Sequence, residues 1–348
     1  MTAGQTVRLP KYAYVGCFSP GKSSGHGEGI SVYRIAPSTG TWQLVEIVKS
    51  LPSPGFLVLD RQGKYLYAGH GNGSEISAYV IDPASGKLKL LNRQPTGGNN
   101  GLHLDVHPNN RFLALANGPV ITIFPINPDG TLAPYIDSNK FDSAAHHMVL
   151  FDATGRYLLA TDHGSHKIHV FPFDATSGKL VKNRHFDVER PDAGPRHLAF
   201  HPSKPWVYDV NKNSTVAAYQ WDAQNGQLKP FQVVRTAPDS YTGPNGASEI
   251  AIAPTGNFAY VANRPHDTIA TFAIDQDKGT LKAIAWEPIQ GKHPRFFTLD
   301  AGGNFLYSAA LESDRIVIFS INSDTGQLTP TGQIVETPSP TCIAFAYQ

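Results

Sequence analysis

A unit of 45 to 52 residues recurs along this chain, and it constrains the fold more than any other feature of the sequence. Each copy has an apolar stretch, a turn of the type DPxG or HPxG, an aromatic-rich stretch, a polar corner, and a third stretch followed by a TSGKL-like turn. One equivalent position in the six copies is occupied by Asp60, His107, Asp152, His201, Ala253 and Asp300. A long and regular repeat of this kind predicts an array of similar structural units.

Within each unit, apolar and polar residues alternate with a period of two, and no segment has a clear 3.6-residue period. Four short strands in about 45 residues are typical of a propeller blade. Six units are complete, and a seventh is split between the C-terminal PSPTCIAFAYQ and the N-terminal YAYVGCFSP and GISVYRIAPSTGTWQLV. The sequence therefore predicts an all-β, seven-bladed β-propeller with four antiparallel strands per blade, built as a single domain by residues 1–348.

The two termini are expected to share the seventh blade, because a ring has no open sheet edge only if these pieces meet. This closure places Cys17 and Cys342 on adjacent strands. Two cysteines cannot form a disulfide framework, so we expect thiols, although the sequence leaves open whether they pair. A closed ring needs no partner chain for its stability, and we expect a monomer or a weak homo-oligomer.

The charge balance argues against nucleic acid and acidic membranes as partners. The chain has 29 basic and 28 acidic residues, a formal net charge of +1, whereas binders of those surfaces concentrate basic residues. No stretch approaches the 18 apolar residues of a membrane-spanning helix, and the first residues lack the apolar core of a signal peptide. We therefore expect no membrane association and a cytoplasmic location.

Candidate site residues emerge where the repeat is broken at one mouth of the ring. Equivalent positions lie at similar height about the axis, so residues that repeat are structural and residues that deviate are candidates. The deviations fall just before the first strand of a blade and at the corner after the second strand: His147, Arg196, Arg295, His103, His197, Glu249, His70, Asp162, Lys212 and Arg264. This set of cations and imidazoles with two carboxylates suits an anionic small molecule carrying a carboxylate or phosphate.

Each candidate also has a structural alternative, since polar residues at strand ends often only satisfy backbone groups. A zinc site could be built from His103, His147 and His197, but nothing in their spacing demands a metal, and we expect no metal or cofactor. The match to G-x-S-x-G at residues 21–25 is not followed by a helix, so we interpret it as a loop and not as a nucleophile elbow.

Four segments resemble the lactonase family of seven-bladed β-propellers: GPRHLAFHP (194–202), ANRPHDTIATFAID (262–275), GKHPR (291–295) and PTCIAF (340–345). That family includes bacterial 6-phosphogluconolactonase and the fungal 3-carboxy-cis,cis-muconate lactonising enzyme. The resemblance covers essentially the whole chain and implies a metal-free enzyme that opens or forms a lactone. It also implies catalytic roles for His147, Arg196 and Arg264.

The sequence departs from the family pattern at three places. Asn211-Lys212 and His70-Gly71 stand where the family usually has Asn-Glu, and Ala145-His146-His147 stands where it has H-x-H. The pocket is therefore expected to be more cationic than in relatives and to suit a more highly charged substrate.

The leading hypothesis is hydrolysis of a sugar lactone such as 6-phosphogluconolactone. Arg196, Arg264, Arg295 and Lys212 would hold the anionic group. His70 and His103 would make further contacts with the substrate. His147, with His197, would activate water, and Asp162 or Glu249 would orient an imidazole. Two alternatives remain at this point: an intramolecular lyase of the carboxymuconate type, and a non-enzymatic binding propeller.

Overall fold

The computed structural model describes residues 9–49, 52–141, 145–181, 186–189 and 191–347. Seven antiparallel sheets form seven blades, and each blade begins with its innermost strand. Blades 1 to 3 contain β4 (Pro54–Leu59), β5 (Tyr65–His70), β6 (Glu75–Ile81), β7 (Leu88–Pro95), β8 (Gly101–Val106), β9 (Phe112–Asn117), β10 (Val120–Pro125), β11 (Asp137–Lys140), β12 (His146–Phe151), β13 (Tyr157–Asp162), β14 (Lys167–Asp174), β15 (Lys179–Leu180) and β16 (Phe186–Glu189).

The remaining blades follow the same order. Blades 4 to 6 contain β17 (Pro195–Phe200), β18 (Trp206–Asn211), β19 (Thr215–Asp222), β20 (Gln227–Arg235), β21 (Gly246–Ile252), β22 (Phe258–Arg264), β23 (Thr268–Ile274), β24 (Leu281–Pro288), β25 (Pro294–Leu299), β26 (Phe305–Ala310), β27 (Arg315–Ile321) and β28 (Leu328–Glu336). Blade 7 contains β29 (Pro340–Ala346), β1 (Tyr12–Cys17), β2 (Ile30–Ile35) and β3 (Trp42–Val48). A short 3₁₀ helix spans Leu311–Ser313, and no helix of the described residues is long and apolar enough to cross a membrane.

The predicted ring closure is confirmed in blade 7. The C-terminal strand β29 is innermost and pairs antiparallel with β1, so that Gly16 lies opposite Cys342. Both cysteines are buried free thiols. The edge of the N-terminal strand is thereby covered by the chain's own other end.

Apolar side chains fill the space between adjacent blades, and tyrosine hydroxyls bind the turns of the neighbouring blade. Tyr14 donates a hydrogen bond to the carbonyl of Gly86 in the TSGKL-like turn of blade 1. Gly86 has a φ of 75°, and a Cβ there would lie 2.4 Å from the Tyr12 ring. The recurring glycine of the turn is therefore required both by its backbone conformation and by the ring packed against it.

A β-bulge near the start of every innermost strand is the feature that positions the site. In blade 3, His146 pairs with Asp162 and Met148 with Thr161, which leaves His147 as the extra residue. The same irregularity leaves one extra residue in each other blade: Gly55, Leu102, Arg196, Ser248 or Glu249, Arg295 and Thr341. A bulge turns its extra residue away from the regular alternation, and here this brings side chains from several blades together around the axis.

Candidate active site

A cavity of about 320 Å³ lies where the bulged residues converge. Its lining comprises Phe18, Lys22, Ser23, Asn100, Leu102, His147, His163, Arg196, Lys212 and Arg295. Four of these are bulge residues, and four carry a basic side chain. No carboxylate is among the described residues that line it. The cavity therefore has an excess of positive charge at its wall.

The basic groups lower one another's pKa. Burial, together with repulsion from Arg295, lowers the pKa of Arg196 to about 10. Burial and the same neighbour also lower the pKa of Lys22. The pKa of His147 is held well below its usual value by burial first and then by the charges of Arg196, His197 and Arg295. His147 is consequently neutral at neutral pH, and an anion that enters would relieve the repulsion among the cations.

A chain of hydrogen bonds runs from the cavity wall into the protein. Arg196 Nη2 lies 3.0 Å from His147 Nε2, His147 Nδ1 lies 3.0 Å from His197 Nε2, and His197 Nδ1 lies 2.8 Å from Glu249 Oε1. A guanidinium only donates, so His147 accepts at Nε2 and must carry its proton at Nδ1. His197 then accepts at Nε2 and donates from Nδ1 to Glu249. The arginine thus fixes the tautomers of both imidazoles.

Arg264 lies beside the cavity and not in its lining. Its Nη1 donates to His293 Nε2 over 2.8 Å. Burial lowers the pKa of Arg264 to about 8, with further contributions from Arg196 and Arg295. The guanidinium of Arg264 is therefore close enough to those of Arg196 and Arg295 to interact with them.

Three of the predicted substrate-binding residues, His70, His103 and Asp162, neither line the cavity nor belong to the chain of hydrogen bonds. His70 is fully buried and its Nε2 lies 2.9 Å from Ser77 Oγ. His103 is buried near the axis, with its ring centroid 4.1 Å from that of Phe56 and 5.5 Å from that of His197. Neither position favours direct contact with a substrate in the cavity.

Asp162 is the third such residue. It accepts hydrogen bonds from the backbone of Ala145 and from the hydroxyl of Ser165. Burial raises its pKa, but the hydrogen bond with His169, followed by those from Ser165 and Ala145, outweighs burial and holds the pKa below the usual range. Strand alternation explains why Asp162 does not line the cavity. The side chain of the corner residue that ends the second strand is buried within the blade, and the side chain of the next residue points toward the axis. Accordingly His163, which follows Asp162, and Lys212, which follows Asn211, line the cavity.

Sequence reasoning missed Lys22, Ser23 and Asn100. Lys22 and Ser23 belong to the loop that we interpreted only as a false nucleophile motif. Lys22 Nζ donates to Asn100 Oδ1 over 2.5 Å, and its side chain passes Gly71, where a Cβ would lie 3.3 Å from Lys22 Cε. The loop lies outside the repeat, so the comparison of blades could not find it.

A group that could hold a metal lies within blade 3. Among the described residues it comprises His146, Asp162 and His169, all buried, with ligand atoms within 4.8 Å of one another. His169 Nε2 lies 3.6 Å from Asp162 Oδ2. The Asp162 oxygens already accept the hydrogen bonds described above, so a metal ion at this group would compete with those bonds. Burial lowers the pKa of His146 to about 4.

Residues 12–345 match a family described as Lactonase, 7-bladed beta-propeller. Among similar proteins, the 6-phosphogluconolactonase of Formosa agariphila is 33% identical over 82% of this chain and 86% of its own length. The 6-phosphogluconolactonase of Bacillus subtilis is 30% identical over 98% of this chain and 100% of its own length.

Solved structures with the same architecture have similar names. A putative 6-phosphogluconolactonase from Bacteroides fragilis superimposes with a TM-score of 0.87 at 28% identity, covering 99% of this chain and 100% of that one. A periplasmic gluconolactonase from Pseudomonas aeruginosa superimposes with a TM-score of 0.89 at 26% identity, covering 96% and 98%.

Proposed function

This chain belongs to the lactonase family of seven-bladed β-propellers, and on that premise we propose that it hydrolyses a sugar lactone bearing an anionic group, such as 6-phosphogluconolactone. The observation that carries the proposal is the hydrogen-bond chain from Arg196 to Glu249, which begins at the wall of a cavity rich in cations. The names of the relatives support the same reaction.

The anionic group of the substrate binds to the basic wall of the cavity. Arg196 and Arg295 offer planar pairs of donors that match a phosphate or carboxylate, and Lys22 and Lys212 add point charges. Their mutual repulsion falls when the anion arrives, so that binding is favoured by the same charges that lower their pKa values.

Water activation falls to His147. When the Arg196 guanidinium turns from His147 Nε2 to the substrate, that nitrogen becomes a free acceptor. It takes a proton from water as the water oxygen attacks the lactone carbonyl carbon. The imidazolium that forms is stabilised through His197 by the carboxylate of Glu249.

Arginine stabilises the oxyanion, and the imidazolium completes the reaction. The carbonyl oxygen becomes negatively charged in the tetrahedral intermediate, next to the guanidinium of Arg196 at the cavity wall and close to the charge of Arg264 beside it. The intermediate collapses by breaking the ring C–O bond, and the proton on His147 passes to the departing ring oxygen. The product is an open-chain hydroxy acid, and the catalytic base is neutral again.

In this scheme the side chains alone supply the acid, the base and the electrostatic stabilisation, so we propose a metal-independent reaction. A pH-stat assay with EDTA present tests the function directly, using 6-phosphoglucono-δ-lactone and unphosphorylated glucono-δ-lactone. We expect ring opening above the spontaneous rate, lost in His147→Ala and retained in the surface variant His26→Ala. A wild-type rate equal to the spontaneous rate for both lactones would reject the proposal.

The relatives named above are lactone hydrolases by name, and they give no support to the lactone-forming lyase. A purely binding propeller is distinguished by the same assay, because it would bind an anionic sugar acid without accelerating ring opening.

A further inference from the structure

We propose that His293 and Glu312 are positioning residues for Arg264, so that a second chain of arginine, imidazole and carboxylate serves the axial site. This inference rests on the proposed function, in which the charge of Arg264 stabilises the oxyanion of the tetrahedral intermediate from beside the cavity. Neither residue belongs to the set that breaks the repeat, and neither lines the cavity. Their role follows from contacts alone.

The hydrogen-bond directions are fixed by chemistry. Arg264 Nη1 donates to His293 Nε2 over 2.8 Å, so the proton of the neutral imidazole must be on Nδ1. That Nδ1 lies 3.0 Å from Glu312 Oε1, which accepts its hydrogen bond. Glu312 therefore selects the tautomer that leaves Nε2 free to receive the guanidinium.

Hydrogen bonds between two loops fix the positions of His293 and Glu312 relative to each other. The His293 backbone N–H donates to Asp267 Oδ1 over 2.8 Å, and His293 itself adopts a left-handed φ of 60°. The backbone of Leu311 donates to the His293 carbonyl over 3.1 Å, and that of Glu312 to the Lys292 carbonyl over 3.3 Å. The imidazole and the carboxylate thus sit on backbones that are bonded to each other.

Arg264 needs such a device because its neighbours repel it. Burial and the charges of Arg196 and Arg295 bring its pKa down to about 8. A carboxylate in direct contact would hold the guanidinium but would also neutralise it toward an anionic substrate. A neutral imidazole holds it and leaves the positive charge available, while the carboxylate acts one group further away.

A similar order of groups occurs in the chain that begins at Arg196. There Arg196 is held by His147, which is oriented through His197 by Glu249. That chain is built from the innermost strands β12, β17 and β21, whereas the second uses the end of β22, the loop before β25 and the 3₁₀ helix. Each chain ends in an arginine that is held by a neutral imidazole and backed by a carboxylate, which points to a shared purpose.

The test compares Glu312→Ala with Glu312→Gln, whose amide oxygen can still accept from His293. We expect Glu312→Ala to lower kcat/KM for 6-phosphoglucono-δ-lactone about tenfold, mainly through kcat, and Glu312→Gln to restore most of it. Glu336→Ala, at an exposed glutamate on the outer strand β28, is the matched control and should behave as wild type. In an Arg264→Met background, Glu312→Ala should have no further effect, because its action passes through the arginine.

Calorimetric titration with 6-phosphogluconate on the same variants separates this inference from the proposed function. If the wild type binds this product but hydrolyses neither lactone, the proposed function fails, and the binding pattern still decides the role of Glu312. Equal loss from Glu312→Ala with and without Arg264, no loss at all, or no rescue by glutamine would each overturn the inference.

Discussion

His147 and His197 lie on the innermost strands of two neighbouring blades, and Nδ1 of His147 lies 3.0 Å from Nε2 of His197. Neither nitrogen can be a metal ligand while this hydrogen bond exists. The pair instead forms the middle of the hydrogen-bond chain, through which the carboxylate of Glu249 would stabilise a proton taken up by His147 in the proposed mechanism.

Glu249→Gln should reduce kcat about tenfold to a hundredfold while changing KM little. The glutamine oxygen can still accept from His197, but it lacks the charge that stabilises the imidazolium in the transition state. Glu249 does not line the cavity, so ground-state binding is preserved. Steady-state kinetics on the phosphorylated lactone measure both constants, with Glu336→Gln as control, and an unchanged kcat would contradict the relay.

Arg295→Met should move the acid limb of the kcat/KM profile to higher pH. The neutral form of His147 is the active base, so activity is lost as pH falls through its pKa. Burial is the main cause of the lowered pKa, and the charge of Arg295 adds to it. Removing that charge raises the pKa toward its usual value, and a limb that stays in place or moves to lower pH would show that another group is titrating.

Lys22→Met should raise KM for the phosphorylated lactone about tenfold and change that for glucono-δ-lactone by less than about twofold. The ammonium lines the cavity and is held toward it by Asn100. Comparing the two lactones isolates the contribution of the substrate's charge. The control is Lys49→Met, an exposed lysine paired with Glu28, and equal effects on both lactones would speak against an anion contact.

The thiols of Cys17 and Cys342 should be unreactive in the folded protein. Both are buried, and burial raises the pKa of each to about 12, so the nucleophilic thiolate is scarce. Titration with a chromogenic disulfide should therefore release no signal before denaturant unfolds the ring and two equivalents afterwards. Cys17→Ala and Cys342→Ala assign the two equivalents, and rapid modification of the native protein would indicate an open seventh blade.

The repeat is sufficient to predict the ring, the four-stranded blades and the split seventh blade. Each copy of the repeat shows the length of its strands and the alternation of apolar and polar residues along them. Aligning the copies also predicted that His147, Arg196 and Arg295 converge. It could not show why, since the bulge that turns them to the axis depends on strand register.

Other parts of the site depend on contacts that no repeat encodes. Alignment of the blades predicts Asp162 as a site residue, whereas its neighbour His163 lines the cavity, because alignment does not reveal which way a corner side chain faces. Lys22 reaches the cavity from a loop between β1 and β2, and Glu312 acts at one remove through His293. Both are visible only when distant segments are brought together.

The bulge in each innermost strand has a consequence for how this architecture can change. Because the extra residue lies outside the ladder, its side chain can be exchanged while the paired residues on either side keep their hydrogen bonds. Glycine, leucine, histidine and arginine all occupy this place in the present ring. Four of these places, Leu102, His147, Arg196 and Arg295, line the cavity, and a combinatorial library restricted to these four positions would vary the cavity wall while the strand pairing is kept.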